Sequence, residues 1–230
     1  GTCKVNANQA GNANYNAADS FTFKVNDGTV DSVAATVSIT VTAVNDAPTA
    51  SDNTITTPED TDYTFAISDF NYSSVDGNPI SSVKITSLPT LGTLKVNNSP
   101  VSVNQVIAEN SISLGKLTFT PTANANGSPY TTFTFTVSDG SLSSSPANTI
   151  TITVTAVNDA PTANAQSVST PEDTAKAITL TGSDVDGDSL TYSTVTGPTH
   201  GILSGLNSAT GAVTYTPAAN YNGEIGRAYD

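Results

Sequence analysis

Hydroxyl and branched apolar residues alternate in segment after segment of this chain. Ile150, Ile152 and Val154 are interleaved with Thr149, Thr151, Thr153 and Thr155, and Val37, Ile39 and Val41 with Thr36, Ser38, Thr40 and Thr42. A period of two puts every apolar side chain on one face, which predicts half-buried β-strands. The same reasoning predicts strands at 21–25, 35–44, 63–68, 80–87, 92–96, 116–120, 130–138, 178–181, 190–194 and 212–216. No segment carries a helical period, so no helix is expected. Turn dipeptides separate the strands at Asp27-Gly28, Asp76-Gly77, Asn97-Asn98, Asn126-Gly127, Asp139-Gly140 and Asp186-Gly187. That spacing suits an all-β fold of antiparallel sandwiches, with about seven strands to each ~110 residues.

The pattern repeats at a much longer interval. Ala-Val-Asn-Asp-Ala-Pro-Thr-Ala stands at 43–50 and again at 156–163, an offset of 113 residues. Pro58-Glu59-Asp60-Thr61 recurs as Pro171-Glu172-Asp173-Thr174, and Phe21-Thr22-Phe23 as Phe133-Thr134-Phe135. A period of this length is a whole domain. With the Asn-Asp-Ala-Pro stretches as linkers, residues 47–159 form a complete repeat, 1–46 the C-terminal half of one, and 160–230 the N-terminal half of another. Asn14-Tyr15-Asn16 and Asn220-Tyr221-Asn222 mark the same point of the repeat, so the two halves complement each other.

Charge changes the picture of partners. Charged residues make up only 12% of the chain, yet the formal net charge is −13. Seven scattered basic residues against twenty acidic ones repel nucleic acid and attract divalent cations. No apolar run reaches the ~18 residues of a membrane span, so membrane insertion is not expected. The first residues, Gly1-Thr2-Cys3-Lys4, do not read as a signal peptide, and the chain reads as an internal piece of something longer. Cys3 is the single cysteine, which leaves stability to the cores, to contacts between repeats or to bound metal.

Asp184, Asp186 and Asp188 alternate within Ser183-Asp184-Val185-Asp186-Gly187-Asp188, so in an extended segment their carboxylates lean to one side. Hard oxygen donors of this kind suit Ca²⁺. The segment is not an EF-hand, because the twelfth residue is Val195 and the loop glycine is fourth. The competing reading is that these Asp and Asn side chains only bond nearby amides and make turns.

Together with Tyr215-Thr216-Pro217-Ala218-Ala219-Asn220-Tyr221-Asn222-Gly223 and Val137-Ser138-Asp139-Gly140, the linkers and the Pro-Glu-Asp-Thr openings resemble the bacterial cadherin-like tandem repeats, including the VCBS type, of large secreted surface adhesins. Residues 1–11 and 225–230 depart from that pattern. The resemblance implies tandem Ig-like or cadherin-like Greek-key sandwiches with Ca²⁺ at each junction. Asn158 and Asp159 would join Glu59 of the middle repeat with Asp184, Asp186 and Asp188 of the last. At the first junction Asn45 and Asp46 face a motif split by residues 70–74, leaving Asp69, Asp76 and Asn78 and a weaker site.

Catalysis is not expected. His200, the single imidazole, lies in Gly197-Pro198-Thr199-His200-Gly201 with no nucleophile elbow nearby. Lys24 lies opposite Phe21, Phe23 and Val25, unsuited to the buried amine that an isopeptide cross-link needs. Phe65, Phe119, Tyr130, Phe133, Phe135, Tyr192 and Tyr215 fall on strand faces and read as core. The resulting expectation is an extracellular structural or adhesion module of a bacterial cell surface, stiffened by calcium and partnered by neighbouring repeats. Two alternatives stand beside it: a filament subunit assembling head-to-tail through copies of itself, and a carbohydrate-binding accessory module, with a surface glycan or a protein as ligand.

Overall fold

The structure, a computed structural model, describes residues 19–223. Cys3, Asn14-Tyr15-Asn16 and the divergent segments 1–11 and 225–230 lie outside the described residues. The chain divides into two compact units, Gly1–Ala156 and Val157–Asp230.

In the first unit, β1 (Asp19–Phe23) and β2 (Ala35–Ile39) form an antiparallel hairpin in which Phe21 faces Val37. The complete repeat follows, with β3 (Asn53–Pro58), β4 (Tyr63–Thr64), β5 (Ser82–Ile85), β6 (Thr93–Val96), β7 (Ser99–Pro100), β8 (Val106–Ala108), β9 (Leu117–Thr120), β10 (Gly127–Ser138) and β11 (Asn148–Thr155). Its five-stranded sheet runs β3-β11-β10-β5-β8, and its four-stranded sheet runs β4-β9-β6-β7. All these pairings are antiparallel except β3 with β11, which run parallel from Asn53 beside Ile150 to Pro58 beside Thr155.

The sandwich is filled as the alternation dictates. Ile150, Ile152 and Val154 of β11 are buried, while the intervening threonines stay partly or fully exposed. Across the core, Phe65 meets Phe133 edge-to-face at 5.7 Å, and Phe70 meets Phe135 at 5.0 Å. Such contacts add to the burial of the rings themselves, worth about 0.5–1.5 kcal/mol each.

Two short helices correct the expectation of none. A 3₁₀ turn at Ile67–Phe70 buries Phe70, and α1 (Glu109–Ser113) buries Ile112 on the way from β8 to β9. Each is about one turn long with a single core residue, too short to show a period. Gly115, at φ +69°, closes α1 by bonding to Ile112 O at 2.8 Å, a conformation that glycine adopts without strain.

In the second unit, β12 (Thr162–Ala163) pairs with β14 (Gly182–Ser183), and β13 (Lys176–Thr179), β15 (Gly201–Ser204) and β16 (Ala212–Pro217) form a sheet in the order β13-β16-β15. This is the counterpart of β4-β9-β6. Lys176 pairs with Tyr215 as Tyr63 pairs with Phe119, and Leu203 pairs with Tyr215 as Leu94 does with Phe119. The second sheet has no counterpart among the described residues 157–223. Accordingly the expected strand at 190–194 is absent, and residues 166–171, which match β3, form no ladder either. A strand exists by its pairing, and in the complete repeat these segments are held by β10 and β11.

Candidate functional site: the linker clasps

Each Asn-Asp linker is tied to the loop that carries the Asp-Gly turn of its own unit. In the first unit the amide of Asp46 donates to Asp76 Oδ2 at 2.7 Å. In the second, the amide of Asp159 donates to Asp186 Oδ2, also at 2.7 Å. Pro48 and Pro161 favour extended backbone at Ala47 and Ala160, the residues that follow each Asp. Nearby, Thr49 bridges Ser73 in one unit and Thr162 pairs with Ser183 in the other.

The first clasp is completed by asparagine amides. Asn45 Nδ2 donates to Asp139 Oδ2 at 2.9 Å, and Asn78 Nδ2 donates to Asn45 Oδ1. Asp139 was not expected here, although its signal was legible, since Asp139-Gly140 matches Asp27-Gly28 of the preceding fragment. Amide donation from Leu142, then the Asn45 side chain, then the Ser141 amide hold its carboxyl down to about 2. Asp27, bonded to Thr29 and Val30 in the same kind of loop, is likewise lowered to about 2. Ala43, Val44, Asn45, Asp76 and Asn78 enclose a shallow pocket of about 170 Å³.

Asp69 takes a different place from the one expected. Its Oδ2 accepts the Ala66 amide at 2.8 Å and the Tyr63 hydroxyl at 3.1 Å, which closes the 3₁₀ turn. Burial, with the Asp69 charge second, raises the Tyr63 hydroxyl to about 12. The bridging of Thr49 to Ser73 shows why: in register with Ser183-Asp184, the residue at the Asp184 position is Ser74.

In the second unit Asn158, Asp159, Asp184 and Asp188 line a concavity of about 300 Å³ together with Thr181 and Tyr192. Asp184 Oδ1 accepts the amides of Asp186 at 2.9 Å and Asp188 at 3.2 Å, so part of this triplet makes a turn, as the competing reading held. Asp184 Oδ2 and Asp186 Oδ1 face no donor among these bonds. Glu59 is buried in the first unit at the end of β11, where its amide donates to Thr155 O at 2.9 Å and its carboxylate accepts Asn126 Nδ2 at 3.3 Å. Among the described residues no three Asp, Glu, His or Cys side chains gather into a metal-ligating group. The carboxylate and amide oxygens are of the hard type that Ca²⁺ takes.

His200 stacks on Tyr221 at 4.2 Å, and its carbonyl accepts the Tyr215 hydroxyl at 2.8 Å. That is a packing role for the loop. No described helix is long and apolar enough to cross a membrane.

No curated protein matches the chain. Among solved structures it is similar to the endo-fucoidan hydrolase MfFcnA4 of glycoside hydrolase family 107 and to a point variant of it, with 21% and 22% identity and a TM-score of 0.32 in both cases. The likeness covers 88% of this chain and 30% of each of those. The profile of the bacterial Ig domain matches residues 45–155 and 158–229, beginning each time within a linker, and the chain belongs to that family.

Proposed function

We propose that the chain is a spacer from an extracellular bacterial surface protein, a run of cadherin-like Ig repeats whose linkers are braced by calcium. The bacterial Ig domain is a non-catalytic module type common in extracellular proteins. The observation that carries the reading is the duplicated bond from the Asp46 and Asp159 amides to Asp76 and Asp186. It fixes the path of each linker against the repeat that follows it.

At the second linker Asn158, Asp159, Asp184, Asp186 and Asp188 would hold the cation. Ca²⁺ supplies the positive charge that lets these carboxylates stand close together without repulsion. At the first linker Asn45, Asp46 and Asp76 remain. Neutral Asn78 and Ser74 replace Asp188 and Asp184, so affinity is lower there. The buried aromatics of the middle repeat offer no flat platform for a sugar, which disfavours the carbohydrate-binding alternative.

Small-angle scattering of the full chain with calcium and with chelator tests the proposal. Calcium should narrow the distribution of dimensions. Identical curves in both conditions would leave the acidic residues as turn formers only.

A further inference from the structure

The loop 72–78 of the first unit and the loop 182–188 of the second are the same turn with different chemistry. Ser73 bridges Thr49 as Ser183 pairs with Thr162. The Asn78 amide donates to Ser74 Oγ at 3.3 Å, as the Asp188 amide donates to Asp184 Oδ1 at 3.2 Å. In that register Tyr72, Ser74 and Asn78 stand where the second unit has Gly182, Asp184 and Asp188. The groups peculiar to the first unit act together. The Tyr72 ring packs against the core, and its hydroxyl donates to Asn78 O at 2.8 Å. Held by Tyr72 at its carbonyl and by Ser74 at its N–H, Asn78 turns its side chain to the linker, where Nδ2 donates to Asn45 Oδ1. Asn45 extends the chain of bonds from its own Nδ2 to Asp139 Oδ2 at 2.9 Å. Burial, with the Asp139 charge second, raises the Tyr72 hydroxyl, which places that ring in the same network.

We propose that Asn78 takes the place of a cation at the first linker: its amide latches Asn45, and residues 43–46 keep their path whether calcium is present or not. An amide carbonyl such as Asn45 Oδ1 is a hard oxygen of the kind Ca²⁺ takes, and here a neutral donor already holds it. With Ser74 and Asn78 in place of two carboxylates, the repulsion that a cation would offset is also reduced. Asp188 cannot act in the same way, because an ionised carboxylate has no hydrogen to give the Asn158 oxygen. The segment that splits the acidic motif, 70–74, makes the exchange work. It anchors Phe70 in the core and sets Tyr72 against Asn78. Asn78 is thus a positioning residue. The latch stands without the calcium reading, and only the contrast with the second linker rests on the proposed function.

Amide exchange of the full chain, followed residue by residue by NMR in calcium and in chelator, tests the latch. The Asp46 amide, bonded to Asp76 Oδ2 at 2.7 Å, reports the path of the first linker. In the unaltered chain it should exchange at least about tenfold more slowly than in an unfolded peptide, at rates within about twofold of each other in the two conditions. Asn78→Leu keeps the bulk and removes the amide, and should speed that exchange in chelator at least about fivefold. Tyr72→Phe removes only the hydroxyl and should speed it less. Unchanged protection at Ile150 shows that the middle repeat is folded in each variant. Chelator that speeds Asp46 in the unaltered chain as much as Asn78→Leu does overturns the proposal. So does an Asn78→Leu chain whose Asp46 amide exchanges at the unaltered rate. The Asp159 amide is read in the same spectra: its indifference to calcium would remove the calcium reading of the second linker and leave the latch to be decided at Asp46.

Discussion

The main-chain amide of Asn124 donates to the Asp60 carboxylate at 3.0 Å, and the same bond joins Asn220 to Asp173 at 2.9 Å. All four residues have positive φ, between 53° and 57°. Asp and Asn tolerate that conformation better than other residues with side chains. The repeated Pro-Glu-Asp-Thr and Asn-x-Asn-Gly motifs are thus two halves of one internal clasp, seated where the loops after β3 and β9 meet.

Replacing Asp60 by alanine removes a carboxylate acceptor and puts a less tolerant residue at positive φ. The middle repeat should lose about 2 kcal/mol of stability, and Asp60→Asn about half as much. Urea unfolding of the full chain, followed at the middle repeat's transition, reads both. Equal losses would show that the acceptor oxygen, which Asn keeps, contributes little.

Gly92 gives a second clasp-independent prediction. A Cβ there would sit 2.4 Å from the Phe119 ring, and φ is +72°. Gly77, at φ +74°, has open space around it. Gly77→Ala should cost about 1 kcal/mol and Gly92→Ala about 3 kcal/mol, the difference being the displaced ring. Similar melting shifts for the two would mean that the ring moves aside freely.

For calcium, Asp184→Asn with Asp186→Asn should lower affinity at the second linker at least about tenfold while leaving the middle repeat's unfolding unchanged. Asn78→Asp should strengthen the first. Isothermal calorimetry compares the three proteins, and unaltered heats in both variants would remove these residues from the site.

Acid provides a fourth measurement. Asp139 is lowered to about 2 from 3.8, so its folded pKa lies below the unfolded one. The stability that it contributes is present above about pH 4 and disappears as pH falls towards 2. Asp139→Ala should therefore be less stable at neutral pH and converge on the unaltered chain near pH 2. Parallel stability curves across that range would contradict the bonded carboxylate.

The strands of the complete repeat were legible because their faces alternate and because the repeat itself marks homologous positions. Ile150, Ile152, Phe133 and Phe135 lie in the core that their spacing implied. What escaped was set by partners far away in the chain. β3 has few large apolar residues and becomes a strand through β11, whereas residues 190–194 alternate well and form no ladder among the described residues. The clasp at Asp76 and Asp186 was half visible as acidic Asp-Gly turns. The role of Asp139 depends on a contact 94 residues away, and Asp69 was misplaced because an insertion hid its alignment.

The parallel pairing of β3 and β11 bears on force. Tension applied to the linkers on either side of the middle repeat pulls β3 towards its beginning and β11 towards its end. Six register pairs, from Asn53 beside Ile150 to Pro58 beside Thr155, are then loaded together in shear rather than peeled one after another. Rupture of that pair requires several bonds to fail at once, and the rest of the sandwich, including its aromatic core, is shielded until it does.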